Sequence, residues 1–199
     1  MSGRTANPQS GAPPLSDPAN PPPPQFIHED PIYVGLTHAP LDIPGTIDKV
    51  RTPKAGAIVM FAGTTRDNFN SKTVKFLAYS SYTPLALRTL QRIAKSHITP
   101  PSEEHGGYSK IQKIAILHRL GEVPVGEESI LVVVSAGHRK EGWEVAEEVL
   151  EECKRKLEVW KWEELEEGDG KEEGGWRSNR EGVQPVGGPG LGCCGGRGH

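Results

Sequence analysis

Apolar positions along the chain fall into short runs and stripes, separated by polar, glycine-bearing or proline-bearing breaks. Ile32-Tyr33-Val34-Gly35-Leu36 predicts a short strand, and residues 42–50, led in by Pro40, a short helix. Residues 56–62 form a continuous apolar run bounded by Gly56 and Gly63, the pattern of a strand buried on both faces, and the run ends in a polar loop carrying Arg66. Residues 74–79 are β-prone. Thr83 and Pro84 then offer an N-cap and a proline at the first helical position, and Leu87, Leu90, Ala94 and His97 recur at helical spacing, so residues 84–97 are predicted to form an amphipathic helix. A second β-prone run, residues 111–118, leads into Arg119-Leu120-Gly121-Glu122, and Pro124 and Gly126 punctuate the turn that follows. Residues 129–135 carry the strongest buried-strand signal. A long helix over 141–158 follows Gly137-His138-Arg139, with Trp143, Ala146, Leu150, Cys153 and Leu157 on one stripe. This β-α-β-β-α order predicts an α+β fold with a mixed or antiparallel sheet and helices packed on one face.

Composition limits how much of the 199-residue chain folds. Hydrophobic residues are 35% of it, against 24 Gly and 18 Pro. Residues 1–25 are rich in proline, with a run of four at residues 21–24, while residues 182–199 are rich in glycine; neither segment has the apolar surface to offset the entropy of ordering. The expected organisation is a disordered leader over 1–25, a folded domain over 26–181 and a disordered tail over 182–199. The net charge of −3 gives no global field for nucleic acid or an anionic membrane, and no apolar run is long enough to span a bilayer. Three cysteines, two of them adjacent in the tail, make a poor disulfide framework, so reduced thiols and a cytosolic location are expected. Cys193, Cys194 and His199 lack the spacing of a zinc site. Cys153, on the apolar stripe of the long helix, reads as a small core residue ahead of a reactive thiol.

Local cations are the candidate chemistry. His138 and Arg139 stand where a buried strand hands over to a helix, so their side chains and the helix's free N–H groups are suited to an anion. Arg66 follows the C-terminal end of the earlier apolar run. Lys154 lies about 60° from the centre of the helical stripe, at about 100° per residue, and is placed to lean over the sheet edge, whereas Arg155 points away. Lys161 is seven residues further on, and Trp160 beside it is suited to shield an ammonium from water. A shielded lysine near other cations has its pKa lowered toward working pH, which suits a proton shuttle or nucleophile. Together these groups suggest a cationic pocket for a phosphorylated ligand.

The motifs Gly56-Ala57, Phe61-Ala62-Gly63 with Arg66, His118-Arg119-Leu120-Gly121-Glu122 with Val125-Gly126-Glu127, Ser135-Ala136-Gly137-His138-Arg139, and Lys154 with Trp160-Lys161 occur in one order. In that series, closed by Trp176-Arg177-Ser178-Asn179-Arg180-Glu181, the chain resembles the large, catalytic subunit of molybdopterin synthase over most of residues 30–181. The resemblance implies that subunit's α/β-hammerhead fold. It also implies a sulfurtransferase of molybdenum cofactor biosynthesis that converts cyclic pyranopterin monophosphate to molybdopterin by building its dithiolene. In that family sulfur arrives as a thiocarboxylate on the C-terminal glycine of a small ubiquitin-like subunit, whose tail threads into the large subunit, and the step needs no metal or cofactor. Two large subunits pair, giving a heterotetramer. Carried over by position, Lys154 and Lys161 match the catalytic lysines. Arg66, His138, Arg139, Lys154, Lys161, Trp162 and Glu163 match the substrate-binding set, with Glu163 orienting the Lys161 amine. The chain departs from the family at Glu158, where a proline is usual, and at Trp162, where a basic residue is frequent, which implies a less positive pocket.

Two other classes remain. A non-catalytic pterin- or phosphate-binding module of the same fold would keep the pocket and lose turnover, although both lysines are present. An adaptor using the proline-rich leader would dock on aromatic grooves, but the leader shows no clear specificity flanks.

Overall fold

The computed structural model describes residues 14–69, 72–101, 103, 109–166 and 172–178. In chain order the elements are β1 (Gln25–Glu29), β2 (Ile32–Thr37), α1 (Ile43–Val50), β3 (Ala57–Thr64), β4 (Asn68–Phe69), β5 (Lys72–Ser81), α2 (Thr83–His97), β6 (Ile111–Arg119), β7 (Gly121–Pro124), β8 (Glu128–Ala136), α3 (Arg139–Lys156), β9 (Val159–Glu166) and β10 (Glu172–Ser178). Residues 1–13 of the leader, the 182–199 tail with Cys193, Cys194 and His199, and Asn179, Arg180 and Glu181 of the closing motif lie outside the described residues.

Among the described residues the strands form two sheets. The first runs β1-β2-β6-β8-β3, and the second β10-β9-β5-β4, with β7 also paired to β5. The β2–β6 pair is parallel and the other pairs are antiparallel, so the fold is α+β with a mixed sheet. Local signals explain the helix starts. Asp42 caps α1 by accepting the Gly45 amide at 3.0 Å, with Pro44 in the first turn; α2 begins at Thr83, one residue earlier than the spacing suggests, so Pro84 is in its first turn and Tyr82, not Thr83, is the N-cap, without a side-chain capping bond.

The two long helices share one face of the first sheet. Leu87, Leu90 and Ile93 of α2 and Ala146, Val149 and Cys153 of α3 pack with Val34, Ile114, Ile116, Val132 and Val134. Short α1 covers the opposite face, where Leu41 and Val50 meet Ala115, Leu117, Leu131 and Val133. Strand β8 is therefore buried on both sides, as its unbroken apolar run demands.

Strand β3 differs from its expectation. Among the described residues it is an edge strand with a neighbour on one side alone, and Ile58 and Phe61 are 37% and 36% exposed. Its continuous apolar run looks like that of a central strand, and run length by itself does not distinguish the two. The stripe of α3 also shifts. Gly142, not Trp143, meets the sheet, because α3 approaches so closely that a Cβ on Gly142 would lie 2.9 Å from Val59 Cγ2. Trp143, one residue round the helix, is turned outward and 61% exposed. Helix α3 ends at Lys156, with Leu157 buried as its C-cap, and the chain then re-enters as β9.

Candidate functional site

The site begins with where the register puts the cations. Strands β3 and β8 are antiparallel, with Ala57 opposite Ala136 and Thr64 opposite Glu128. Arg66, just past β3, and His138, just past β8, therefore stand at opposite ends of the first sheet, separated by more than the roughly 24 Å length of β3. Arg139 opens α3 and Lys154 lies in its last turn, about 22 Å along the axis. The sequence-level picture of one pocket holding all five cations does not form within a single chain. Instead, one end carries Arg66, Lys154 and Lys161, and the other carries His138 and Arg139.

The first group is assembled by the second sheet. Thr65, next to Arg66, donates its hydroxyl to the Val123 carbonyl at 3.3 Å. Val123 stands opposite Leu77, and Leu77 opposite Glu163, so two strand spacings, about 10 Å, lead from that anchor to Glu163. Lys161 Nζ lies 2.8 Å from Glu163 Oε1, and the Glu163 side chain is only 4% exposed. Lys154 is half-buried, with Nζ 3.2 Å from Glu151 Oε1, while Arg155 is exposed, as the helical spacing predicts. The aromatic shield is not Trp160. Successive residues of a strand face opposite ways, so Trp160 and Trp162 lie on the other face of β9 from Lys161 and Glu163. The residue opposite Lys161 is Tyr79, whose hydroxyl pKa is raised by burial and by the Glu163 charge. Trp162 Nε1 donates to Glu164 Oε2 at 2.6 Å. Of the proposed substrate-binding residues, Trp162 and Glu163 are thus divided between the two faces.

At the other end, His138 is the N-cap of α3 without a side-chain capping bond, and both His138 and Arg139 are exposed. An exposed cation pair at an uncapped helix N-terminus has the electrostatics for an anion.

Cys153 is buried in the core with its thiol pushed up to about 12, first by burial and then by the Glu152 charge, which makes it inert near neutral pH. Among the described residues no group of three His, Cys, Asp or Glu side chains is placed to hold a metal ion. Sequence reasoning quoted His118 and Arg119 within a motif but gave them no role, although both are buried charge-bearing types. Strand β9 was also missed. Its alternation of Val159, Lys161 and Glu163 with Trp160 and Trp162 was the available signal, and β10 pairs with it so that Arg177 stands opposite Lys161.

The fold and these groups define an α+β protein that gathers cations at two separate ends of one sheet. A model of the MoaE protein family matches residues 36–156. The chain is 52% identical to a molybdopterin synthase catalytic subunit of Neurospora crassa over 184 residues, 92% of this chain and 82% of that protein. It is also 52% identical to the Pyricularia oryzae protein of the same name over 157 residues, 79% of this chain and 80% of that one. The fold resembles molybdopterin synthase from Staphylococcus aureus, with a TM-score of 0.61 at 23% identity over 71% of this chain and 94% of that one. It also resembles, less closely, a chain in a complex of subunits 1 and 2 of molybdopterin-converting factor from Helicobacter pylori, with a TM-score of 0.52 at 20% identity over 65% and 83% of the two chains. The chain belongs to the MoaE family.

Proposed function

We propose that this chain is the catalytic subunit of a molybdopterin synthase, a sulfurtransferase of molybdenum cofactor biosynthesis that converts cyclic pyranopterin monophosphate to molybdopterin. Its sulfur comes from the thiocarboxylated C-terminal glycine of a small ubiquitin-like subunit. The observation that carries this reading is the buried Glu163 carboxylate gripping Lys161 at 2.8 Å, on the end of the molecule that also holds Lys154 and Arg66. A lysine fixed in this way meets the geometric need of an acid–base group. In this reading Lys161 moves the proton and Lys154 meets the terminal carbonyl of the small subunit. Arg66, His138 and Arg139 neutralise the cyclic phosphate and the alkoxide formed as its ring opens.

The separation of Arg66 from His138 and Arg139 supports a homodimer of large subunits, in which the second copy brings its His138 and Arg139 to the Lys154–Lys161 end. Two small subunits then complete a heterotetramer. The catalytic domain spans residues 26–181. The cysteine usage supports a cytosolic location.

The test is single-turnover conversion of cyclic pyranopterin monophosphate with a thiocarboxylated small subunit. Lys154→Ala and Lys161→Ala are each expected to slow dithiolene formation by about 10²-fold or more while substrate binding and folding persist. A wild-type chain that binds pterin tightly but never turns over is instead a non-catalytic binding module.

A further inference from the structure

The stretches around Arg119 and Val125-Gly126-Glu127 take no part in the chemistry above, yet they meet beside Arg66. Arg119 ends β6 with its side chain almost wholly buried, and its Nη1 pairs with Glu127 Oε2 across the turn between β7 and β8. Among the described residues the buried Arg119 Nε has no acceptor. Glu127 closes a tight turn by donating its amide to the Pro124 carbonyl at 3.1 Å, with Gly126 at φ +86°. That turn is bonded to the residue before Arg66. The Thr65 amide donates to the Glu127 carbonyl at 3.0 Å, and the Gly126 amide donates to the Thr65 carbonyl at 2.9 Å. Beyond Arg66, the Asp67 carbonyl accepts the Val74 amide at 2.8 Å. The exposed Arg66 side chain thus springs from backbone pinned on both sides, and Arg119 anchors one of the pins.

We propose that the Arg119–Glu127 ion pair is a clamp that positions Arg66 for the substrate's phosphate by fixing the β7–β8 turn against Thr65. The proposal rests on the reading of Arg66 as a substrate-binding cation. Arg119 and Glu127 are positioning residues and act through Arg66. A buried guanidinium that loses its carboxylate is left unpaired, so the turn shifts to find it water or another acceptor. A misplaced Arg66 then loses its charge-assisted bonds to phosphate.

The test uses the full chain and calorimetric titration with cyclic pyranopterin monophosphate, together with amide hydrogen exchange at Thr65 and Gly126. Glu127→Ala is expected to weaken binding about tenfold, as does Arg66→Ala, equivalent to the loss of one charge-assisted hydrogen bond. The double variant is expected to bind no more weakly than Arg66→Ala alone, and both amides exchange faster in Glu127→Ala at temperatures well below its lowered melting point. Glu127→Gln, which keeps an acceptor, recovers part of the affinity, and it carries the same comparison if Glu127→Ala does not fold. Additive losses in the double variant, or unchanged protection at Thr65 and Gly126, overturn the clamp. If Arg66→Ala weakens binding but the Glu127 variants do not, the clamp fails and the substrate reading of Arg66 stands. If Arg66→Ala binds like wild type, that reading fails and the proposal falls with it.

Discussion

His118 shows how burial sets the chemistry of one residue. It is 1% exposed, and its ring meets Tyr79 edge-on with centroids 5.0 Å apart. Its Nδ1 lies 2.7 Å from the Arg119 carbonyl oxygen; a carbonyl only accepts, so Nδ1 carries the proton. Burial pushes the pKa down to about 4, against the upward pull of that hydrogen bond. In the unfolded chain the same group titrates near 6.5, so between these values the unfolded state binds a proton that the folded state refuses. The stabilisation is full above pH 6.5 and is lost as pH falls toward 4, of order 3 kcal/mol across the window. Thermal unfolding at pH 7.5 and pH 4.5 is expected to show this loss in wild type, with a clearly smaller difference in His118→Gln. Equal pH dependence in the two proteins would assign the acid sensitivity to other groups.

Between elements, close backbone approaches govern what the residues can do. Gly56, just before β3, donates its amide to the Ala136 carbonyl, and a Cβ there would lie 2.5 Å from the Gly137 carbonyl oxygen. Gly56→Ala must therefore push away the short segment that seats His138 and Arg139. The expected cost is about 1–3 kcal/mol by denaturant unfolding, with weaker substrate binding at the same time. An alanine variant as stable and as tightly binding as wild type would show that the segment yields freely. The element level is also where the chain was most and least legible. Helix α2, strand β8 and the run of α3 follow from periodicity because their burial is one-sided or complete, and their sequences repeat accordingly. Strand β3 and Trp143 misled for the same reason: an apolar residue carries no mark of whether its neighbour in space exists. The Lys161–Glu163 pair was suggested by family likeness and not by spacing, since a seven-residue interval from Lys154 is equally compatible with a continued helix. That helix ends at Leu157, an apolar C-cap buried in the main core, and that burial is a tertiary fact no local spacing announces.

For the whole molecule, antiparallel pairing of β3 and β8 is decisive, because it sends the two strand ends, and the cations after them, in opposite directions. No local rearrangement of one chain brings His138 and Arg139 across the sheet to Lys161, since the intervening core residues Val132, Val133 and Val134 are fully buried. The two-fold dimer proposed above would solve this geometrically, because an isologous contact generates two identical composite sites. The consequence is complementation between inactive proteins. A preparation of Lys161→Ala and one of His138→Ala/Arg139→Ala are each expected to be nearly inactive when assembled with thiocarboxylated small subunit. Unfolding and refolding an equal mixture makes half of the dimers mixed, and each mixed dimer holds one site with every native side chain. Activity is then expected to recover to about a quarter of the wild-type value per large subunit. If all five cations served one site within one chain, mixing would restore nothing, because every such site would still lack a residue. Recovery that appears only after subunit exchange, and that scales with the fraction of mixed dimers, would tie Lys161 of one protomer to His138 and Arg139 of the other in one working site.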